Sequence, residues 1–440
     1  MIEGLKPYAE YKESGQQWLG GVPVHWDLKP GHAAFAKRKE SNRGMKEKTV
    51  LSLSYGRIKV KATDKQHGLV PESYETYQVV NEGNVIVRGT DLQNDHTSLR
   101  IGLSRHRGII SSAYLCLDAL PHVVPDYGYQ ILNVFDLTKA IYRYGSGLRQ
   151  NLDHGDIKRL PIFLPPLDEQ AAIVRFLDNA NRQIDGFIRA KRKLMRLLNE
   201  QKQAIVQTAI SEVSTPECRT MPVRAVLRPV KRMGHPQKTL LSLFRDYGVI
   251  PKDSRENKNV DVRDLALCQL VNPGDVVMNK MKAWQGSIAV SGLEGIVSPD
   301  YMVLKFKIQP VVQEFFHYAL RSPSMVANYR RHAYGVRPGQ WRLMYPDFCR
   351  LRLPVPSVEE QQAVVDHISS ETEGLNTAIV RTEREIALMQ EFRTRLTADL
   401  VTGKLDVREA AAKLPASPSA AAESVADEVL EEIETEDAEA

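Results

Sequence analysis

The chain has 440 residues, 42% of them hydrophobic and 26% charged, and its 59 lysines and arginines against 54 aspartates and glutamates leave a formal charge of +5. That length excludes a single small module and predicts two or three domains, while the apolar content excludes wholesale disorder. No run of ~18 uncharged apolar residues is present to span a bilayer. Met1 to Pro30 carries Glu3, Lys6, Glu10, Lys12 and Glu13 where a secretory signal needs an apolar core, so a cytoplasmic protein is expected. Cys116, Cys218, Cys268 and Cys349 lie at least 50 residues apart with no CxxC pair. Buried thiols are expected, without a zinc site or a disulfide framework.

In chain order, the residues up to about 165 read as short β-type runs, such as Tyr77-Gln78-Val79-Val80 and Asn84-Val85-Ile86-Val87. Turn formers interrupt them at Glu82-Gly83-Asn84, Gly89, Gly108 and Pro125-Asp126. From Asp168 to about Ser211 there is no proline and a single glycine, Gly186. Ile173, Leu177, Ala180, Ile184, Phe187, Leu194, Leu198 and Ile205 recur at three, four or seven, a heptad stripe on a long helix. About 44 helical residues would reach roughly 65 Å. A second mixed segment follows, with runs at Asp275-Val276-Val277-Met278, Ser287-Ile288-Ala289-Val290 and Met302 to Phe306. Val364, Ile368, Leu375, Ile379, Ile386, Met389, Leu396 and Leu400 then form a second stripe. Prolines mark both helix entrances, and Ser357 with Glu360 makes a capping-box pattern at the second. Neither stripe can stay exposed. Packing of the helices on each other is the simplest solution, and packing on a partner protein is the competing one. From Asp406 onward eleven acidic residues face two basic ones, so a tail of −9 is expected to follow a body of +14.

The chain is also written twice. Leu51-Ser52-Leu53 returns as Leu241-Ser242-Leu243 at an offset of 190, and Val80 to Ile86 as Val271 to Val277 at 191. Gly108-Ile109-Ile110-Ser111 returns as Gly295-Ile296-Val297-Ser298 at 187, and Tyr144-Gly145 with Gln150 as Tyr334-Gly335 with Gln340 at 190. Leu164-Pro165-Pro166 with Glu169-Gln170 matches Pro354-Val355-Pro356 with Glu360-Gln361. Five matches in one order indicate a duplicated two-part unit, too long in period for a solenoid. The fold class expected is α+β: two mixed α/β domains in a pseudo-twofold tandem duplication, separated by two long antiparallel coiled-coil helices.

The basic body suits a polyanion. Arg57, Lys59, Lys61, Arg88 to Asn94, Arg100 and Arg149-Gln150 in the first copy interleave cations with loop glycines and amides. Lys231-Arg232, Asn279 to Gly286 and Arg337 to Arg342 do the same in the second. Forked guanidinium and amide groups are what reading base edges requires, and neighbouring cations attract phosphate. Taken singly, a surface Arg or Lys is more often simply solvated, Trp284 and Trp341 are better explained by packing than by base stacking, and Lys191-Arg192-Lys193 by a solvated helix face. The signal lies in the paired arrangement. Catalytic signatures are missing: no GxxxxGK[ST] loop, no GxSxG, no HExxH, no metal-ligand spacing among the eleven histidines, and no nucleotide loop with Asn-Pro-Pro-Tyr or Asp-Pro-Pro-Tyr. Pro299-Asp300 lacks a following carboxylate to complete a nuclease metal site. A binding protein that is no enzyme by itself is expected.

Trp18-Leu19-Gly20-Gly21-Val22-Pro23-Val24-His25-Trp26 resembles the Trp-x-Gly-x-Ile-Pro-x-x-Trp opening of type I restriction–modification specificity (S) subunits. The two Glu-Gln entrances resemble that family's Pro-x-Pro-x-x-Glu-Gln segments. The resemblance covers about residues 10–405, departing at Val22 and in the added acidic tail. It implies target-recognition domains at 1–165 and 213–355, a central long helix at 166–212, a C-terminal long helix at 356–405 and a disordered acidic tail at 406–440. Each recognition domain would read one half of a bipartite DNA site in a host-defence system, and the helices would set the gap and dock methyltransferase subunits. The expected DNA contacts are Arg57, Lys59, Arg88, Gln93, Asn94, Arg100, Arg149 and Gln150, then Lys231, Lys280, Lys282, Gln285, Arg337, Gln340 and Arg342. The implied partners are double-stranded DNA, two methyltransferase (M) subunits and restriction (R) subunits, with no membrane. S-adenosylmethionine, ATP and Mg would sit on those partners, so this chain needs no cofactor of its own. A recognition subunit of another restriction architecture, type IIB-like, and a coiled-coil scaffold are the alternatives.

Overall fold

The structure, a computed structural model, describes residues 5–61, 73–95, 98–145, 150–215, 217–245, 247–254, 264–335 and 341–415. Among them the chain divides into two compact units. One comprises the residues up to Ala190 with those from Arg384 onward, the other Lys191–Glu383. No helix among the described residues is long and apolar enough to cross a membrane.

In the first unit the short β-branched runs pair into an antiparallel four-stranded sheet, in the order Phe35–Lys37, Leu115–Ala119, Val85–Val87 and Ile101–Leu103. The helix Pro125–Leu137, opened by the proline that needs no N–H partner there, buries Tyr127, Ile131 and Phe135 against Val85, Val87 and Leu117. Smaller pairs join Leu51–Ser54 to Arg57–Val60, Gln78–Val80 to Gly108–Ile110 and Asp27–Pro30 to Pro161–Leu164. Cys116 is buried in this unit, and burial pushes its thiol up to about 12.

The second unit repeats this plan. Its sheet runs Leu227–Val230, Tyr301–Phe306, Val276–Asn279 and Ile288–Val290. The repeat reaches single hydrogen bonds: Gly83 N donates to Ser104 O at 2.8 Å and Gly274 N to Ser291 O at 2.7 Å. The Gln78 and Gln269 amides each donate to a tyrosine carbonyl, Tyr114 and Tyr301, at 2.7 Å. Gly108 and Gly295 share a steric demand: a Cβ at either would lie 2.5 Å from a threonine carbonyl, that of Thr49 or Thr239. Alanine at each should therefore cost about 1–3 kcal/mol, read by urea denaturation. Wild-type stability for both variants would remove the close-approach argument.

Both long helices form, as Leu167–Val213 and Val358–Val401, and the expected Ser357 capping box is made, at 3.2 and 2.8 Å. In the first unit Ile173 and Leu177 share a core with Leu396 and Leu400, and Asp185 pairs with Arg393. In the second, Ala209 and Ile210 pack with Val364 and Ile368, and Lys202 donates to Asn376 Oδ1 at 2.7 Å. Within each unit the helical segments thus run antiparallel. The stripe fails at one place: Ile173 is buried, Ala180 and Phe187 half-buried, and Leu194 is 40% exposed. Strict seven-residue spacing drifts ~20° per heptad on a straight helix, so three heptads turn a side chain roughly 60° off the contact line.

The tandem Glu-Gln entrances are structural joints. Gln170 is buried, accepts from Val124 N at 2.8 Å and donates to Pro165 O at 2.9 Å. Gln361 repeats both bonds, with Val312 N and Pro356 O, at 2.9 Å each. Each glutamine ties the start of a long helix to the start of the helix on its sheet. The preceding glutamates differ. Glu169 is buried and accepts from Tyr8 Oη at 2.5 Å and Trp26 Nε1 at 2.9 Å, with His25 Nε2 at 2.8 Å. Burial, then the hydrogen bond to Glu169, raises the Tyr8 hydroxyl pKa, which keeps it a donor. Glu360 is exposed at the capping box, whose backbone N–H bond from Ser357 lowers its carboxyl pKa.

One boundary moves. The segment from Asp406, expected as solvated tail, is not one as far as Leu414, because Asp406 N donates to Lys6 O at 2.7 Å and Arg408–Ala412 is helical. Val407, Ala410 and Ala411 enter the first unit's core with Leu414 against it. Their i, i+3, i+4, i+7 spacing is an amphipathic face that the acidic composition conceals. Residues 416–440 lie outside the described part.

Candidate nucleic-acid interface

In the first unit, strand Val85–Val87 runs out into a loop that returns at Ile101–Leu103. Gly89 lets that loop touch a second one: Leu152 N donates to Gly89 O at 2.7 Å, and Asp91 N donates to Asn151 Oδ1 at 2.8 Å. Asp91 takes a left-handed φ of 58° and Gln150 one of 47°, values that shape the two loop tips. Gln93 and Asn94 are exposed on the outer face, with Asn94 Nδ2 donating to Asp91 Oδ1 at 2.7 Å. Arg88 is half-buried and pairs with Asp95 at 3.3 Å.

Two of the expected DNA contacts point inward. Arg100 is fully buried and donates to Thr90 O at 2.7 Å, Asp91 O at 3.1 Å and Asp95 O at 2.6 Å. Gln150 Nε2 donates to Tyr142 O at 2.6 Å and Tyr144 O at 3.0 Å. Both stand where loop carbonyls without ladder partners need donors. Arg57 and Lys59 lie on the hairpin Leu51–Ser54/Arg57–Val60, Arg57 exposed and Lys59 half-buried. Its turn, Tyr55-Gly56, has φ of 48° and 75°, the pattern of a two-residue hairpin turn, and leaves Tyr55 66% exposed. Close packing of Gly102 on Leu53 and Ile58 sets this hairpin against strand Ile101–Leu103, beside the loop of Arg88.

The second unit places its equivalents together more fully. Lys280, Lys282 and Gln285 lie on the loop after Val276–Asn279, with Lys282 exposed and Lys280 Nζ donating to Pro299 O at 3.2 Å. Leu343 N donates to Lys280 O at 3.0 Å, the same joint that Leu152 makes with Gly89. Exposed Arg342 and half-buried Trp341 come with that segment, and the Trp284 and Trp341 rings pack at 5.5 Å, as loop packing predicts. Exposed Lys231 leaves the sheet at the same end, since Val230 and Val277 both pair with Val303. Arg149, Arg337 and Gln340 lie outside the described residues. The arrangement offers each unit two adjoining loops that carry cations and amides at one end of a sheet. Among the described residues no group of three His, Cys, Asp or Glu side chains could hold a metal ion.

The joints made by Glu169, Gln170 and Gln361 escaped assignment from sequence, although the repeated Glu-Gln pair was the visible sign of them. No protein-family model and no curated protein matches the chain. Solved structures do. A chain from a study of complex assembly and conformational transition of the type I restriction–modification system is 16% identical, with a TM-score of 0.53 over 86% of this chain and 98% of that one. The HsdS subunit from Thermoanaerobacter tengcongensis, at 15% identity, gives 0.40 over 87% of this chain and 98% of its own. The type I restriction–modification S subunit from M. genitalium, at 12% identity, gives 0.33 over 85% and 96%. This chain shares the fold of the first of these type I restriction–modification proteins.

Proposed function

We propose that the chain is the DNA-specificity subunit of a type I restriction–modification complex, acting in the cytoplasm. The residues up to about 165 read one half of a bipartite site, and residues 213–355 read the other. The two domains stand as a tandem duplication with pseudo-twofold symmetry. The long helices form an antiparallel coiled coil that spaces the domains and docks two methyltransferase subunits. Restriction subunits complete the assembly. The chain performs no catalysis; S-adenosylmethionine, ATP and Mg act on the partners. The observation that carries this reading is the loop-to-loop joint made in both units, Leu152 N to Gly89 O and Leu343 N to Lys280 O, which sets basic and amide side chains at equivalent places. Arg57, Lys59, Arg88, Lys231, Lys280, Lys282 and Arg342 serve phosphate and guanine, and Gln93, Asn94 and Gln285 serve base edges.

Selection by the purified full chain from a randomised duplex library tests this directly. Two short specific segments separated by unread bases are expected, with binding that weakens steeply as salt rises. One continuous site, or DNA cleavage or methylation by the chain alone, would refute the proposal. Adding one helical turn after Lys202, matched by one at its partner Asn376, lengthens the spacer by ~5.4 Å. The gap should grow by about one or two base pairs, at ~3.4 Å each, with both half-sites unchanged. An unchanged gap with altered half-sites would sink the spacer role.

A further inference from the structure

The two units hold equivalent loops by different means, and the difference has a measurable origin. The repeat offset drops from 191 at Val80 to 187 at Gly108. Hydrogen bonds locate the missing residues: Arg88 N donates to Arg100 O at 2.8 Å, and Asn279 N donates to Ser287 O at 3.1 Å. The loop of the second unit is thus four residues shorter, and Ser287 stands where the first unit has Arg100. The short loop closes on itself, through the 3-10 turn Ala283–Gln285 and a Ser287 N to Lys282 O bond of 3.2 Å. Among its described residues the longer loop forms no 3-10 helix. Its carbonyls converge instead on one guanidinium beneath it. Tyr142, from the neighbouring segment, adds a bond from its hydroxyl to Asp95 O at 2.8 Å and lies 3.4 Å from Arg100 Nε.

We infer that Arg100 is a positioning residue that fixes the shape of the recognition loop carrying Gln93 and Asn94, and so sets which bases the first unit reads without touching DNA itself. The inference rests on the reading of the chain as a DNA-specificity subunit. Arg100 has no exposed surface. Its five donors form a rigid planar fork, which matches several carbonyls held at fixed angles; a lysine ammonium cannot span them. Losing the fork frees the loop to sample other shapes, so that base discrimination is lost where loop geometry supplied it. The charge presented to phosphate stays the same.

The experiment compares the full chain with its Arg100→Met, Arg100→Lys and Tyr142→Phe variants in selection from the randomised duplex library, followed by binding at several salt concentrations. Arg100→Met is expected to lower discrimination at one half-site by ten-fold or more, leaving the other half-site intact and the salt dependence unchanged. Arg100→Lys should fall between, and Tyr142→Phe should show a smaller loss at the same half-site. Retention of both half-sites in Arg100→Met and Tyr142→Phe would overturn the inference. So would weaker binding with an unaltered sequence preference, the mark of a purely structural role. A salt slope reduced by about one would mean that Arg100 meets phosphate directly, again overturning it. Should Arg100→Met fail to fold, Tyr142→Phe alone decides between these outcomes. Failure of the wild-type chain to select any bipartite site would instead strike the functional reading itself.

Discussion

On the proposed function, replacing residues 213–355 by the corresponding segment of another protein of this fold should exchange one half of the DNA site and leave the other untouched. The second unit carries its own core, with Val276, Phe315, Phe316 and Tyr329 fully buried around its sheet. It also carries its own loop pair, held by the Leu343–Lys280 joint. A segment with that much internal support can be replaced as a piece provided its entrances are kept. The required entrances are Val213 at the end of the first long helix and Val355 before the second, whose N–H donates to Arg219 O at 2.8 Å. Genome-wide mapping of methylated adenines in cells carrying the exchanged chain and its partners reads the result. Changes in both halves would show that the two domains do not read independently. Between sites that share no contacts, independence is the ordinary expectation.

The second large effect concerns Glu169. Alanine there removes the acceptor for Tyr8 and Trp26, both buried, and the partner of His25. Leaving such donors without a partner in a dry site costs about 3–5 kcal/mol. The loss should appear as a lowered urea midpoint, with Glu169→Gln milder because one carbonyl oxygen remains. Glu360→Ala at the equivalent exposed position should cost far less, since only a capping bond is lost. Equal losses at Glu169 and Glu360 would show that burial of the first carboxylate is not what matters.

Much of the architecture could be read from sequence because it rests on periodicity and repetition. The stripes from Ile173 and Val364 located the long helices, and the matches at Val80/Val271 and Gly108/Gly295 revealed the duplication, at positions where the structure shows paired strands and a shared steric demand. The candidate site was less legible. Residue type identifies a group able to pair with bases but not the direction it points. Arg100 and Gln150 have the right chemistry and face the protein, because carbonyls of irregular loops demand donors as DNA would. The tail boundary was hidden similarly: Val407, Ala410, Ala411 and Leu414 make a packing face inside an acidic composition. Leu194 shows the limit of the heptad itself, whose strict spacing a straight helix does not follow.

The bond between Asp406 N and Lys6 O closes the first unit with segments from opposite ends of the sequence. Among the described residues the second unit, by contrast, draws on one stretch of the sequence, Lys191–Glu383. Order of synthesis and order of completion are therefore reversed. On the ribosome the later-encoded unit has all its parts first, while the sheet of the earlier one waits for Leu396, Leu400 and Val407 to emerge. Until then its opening segment, Tyr8 to Trp26, lacks the residues that cover it, and a stalled or truncated message would leave an unsealed first unit beside a finished second one. Proteolysis of nascent chains of increasing length should find protection appearing first in the second half of the sequence.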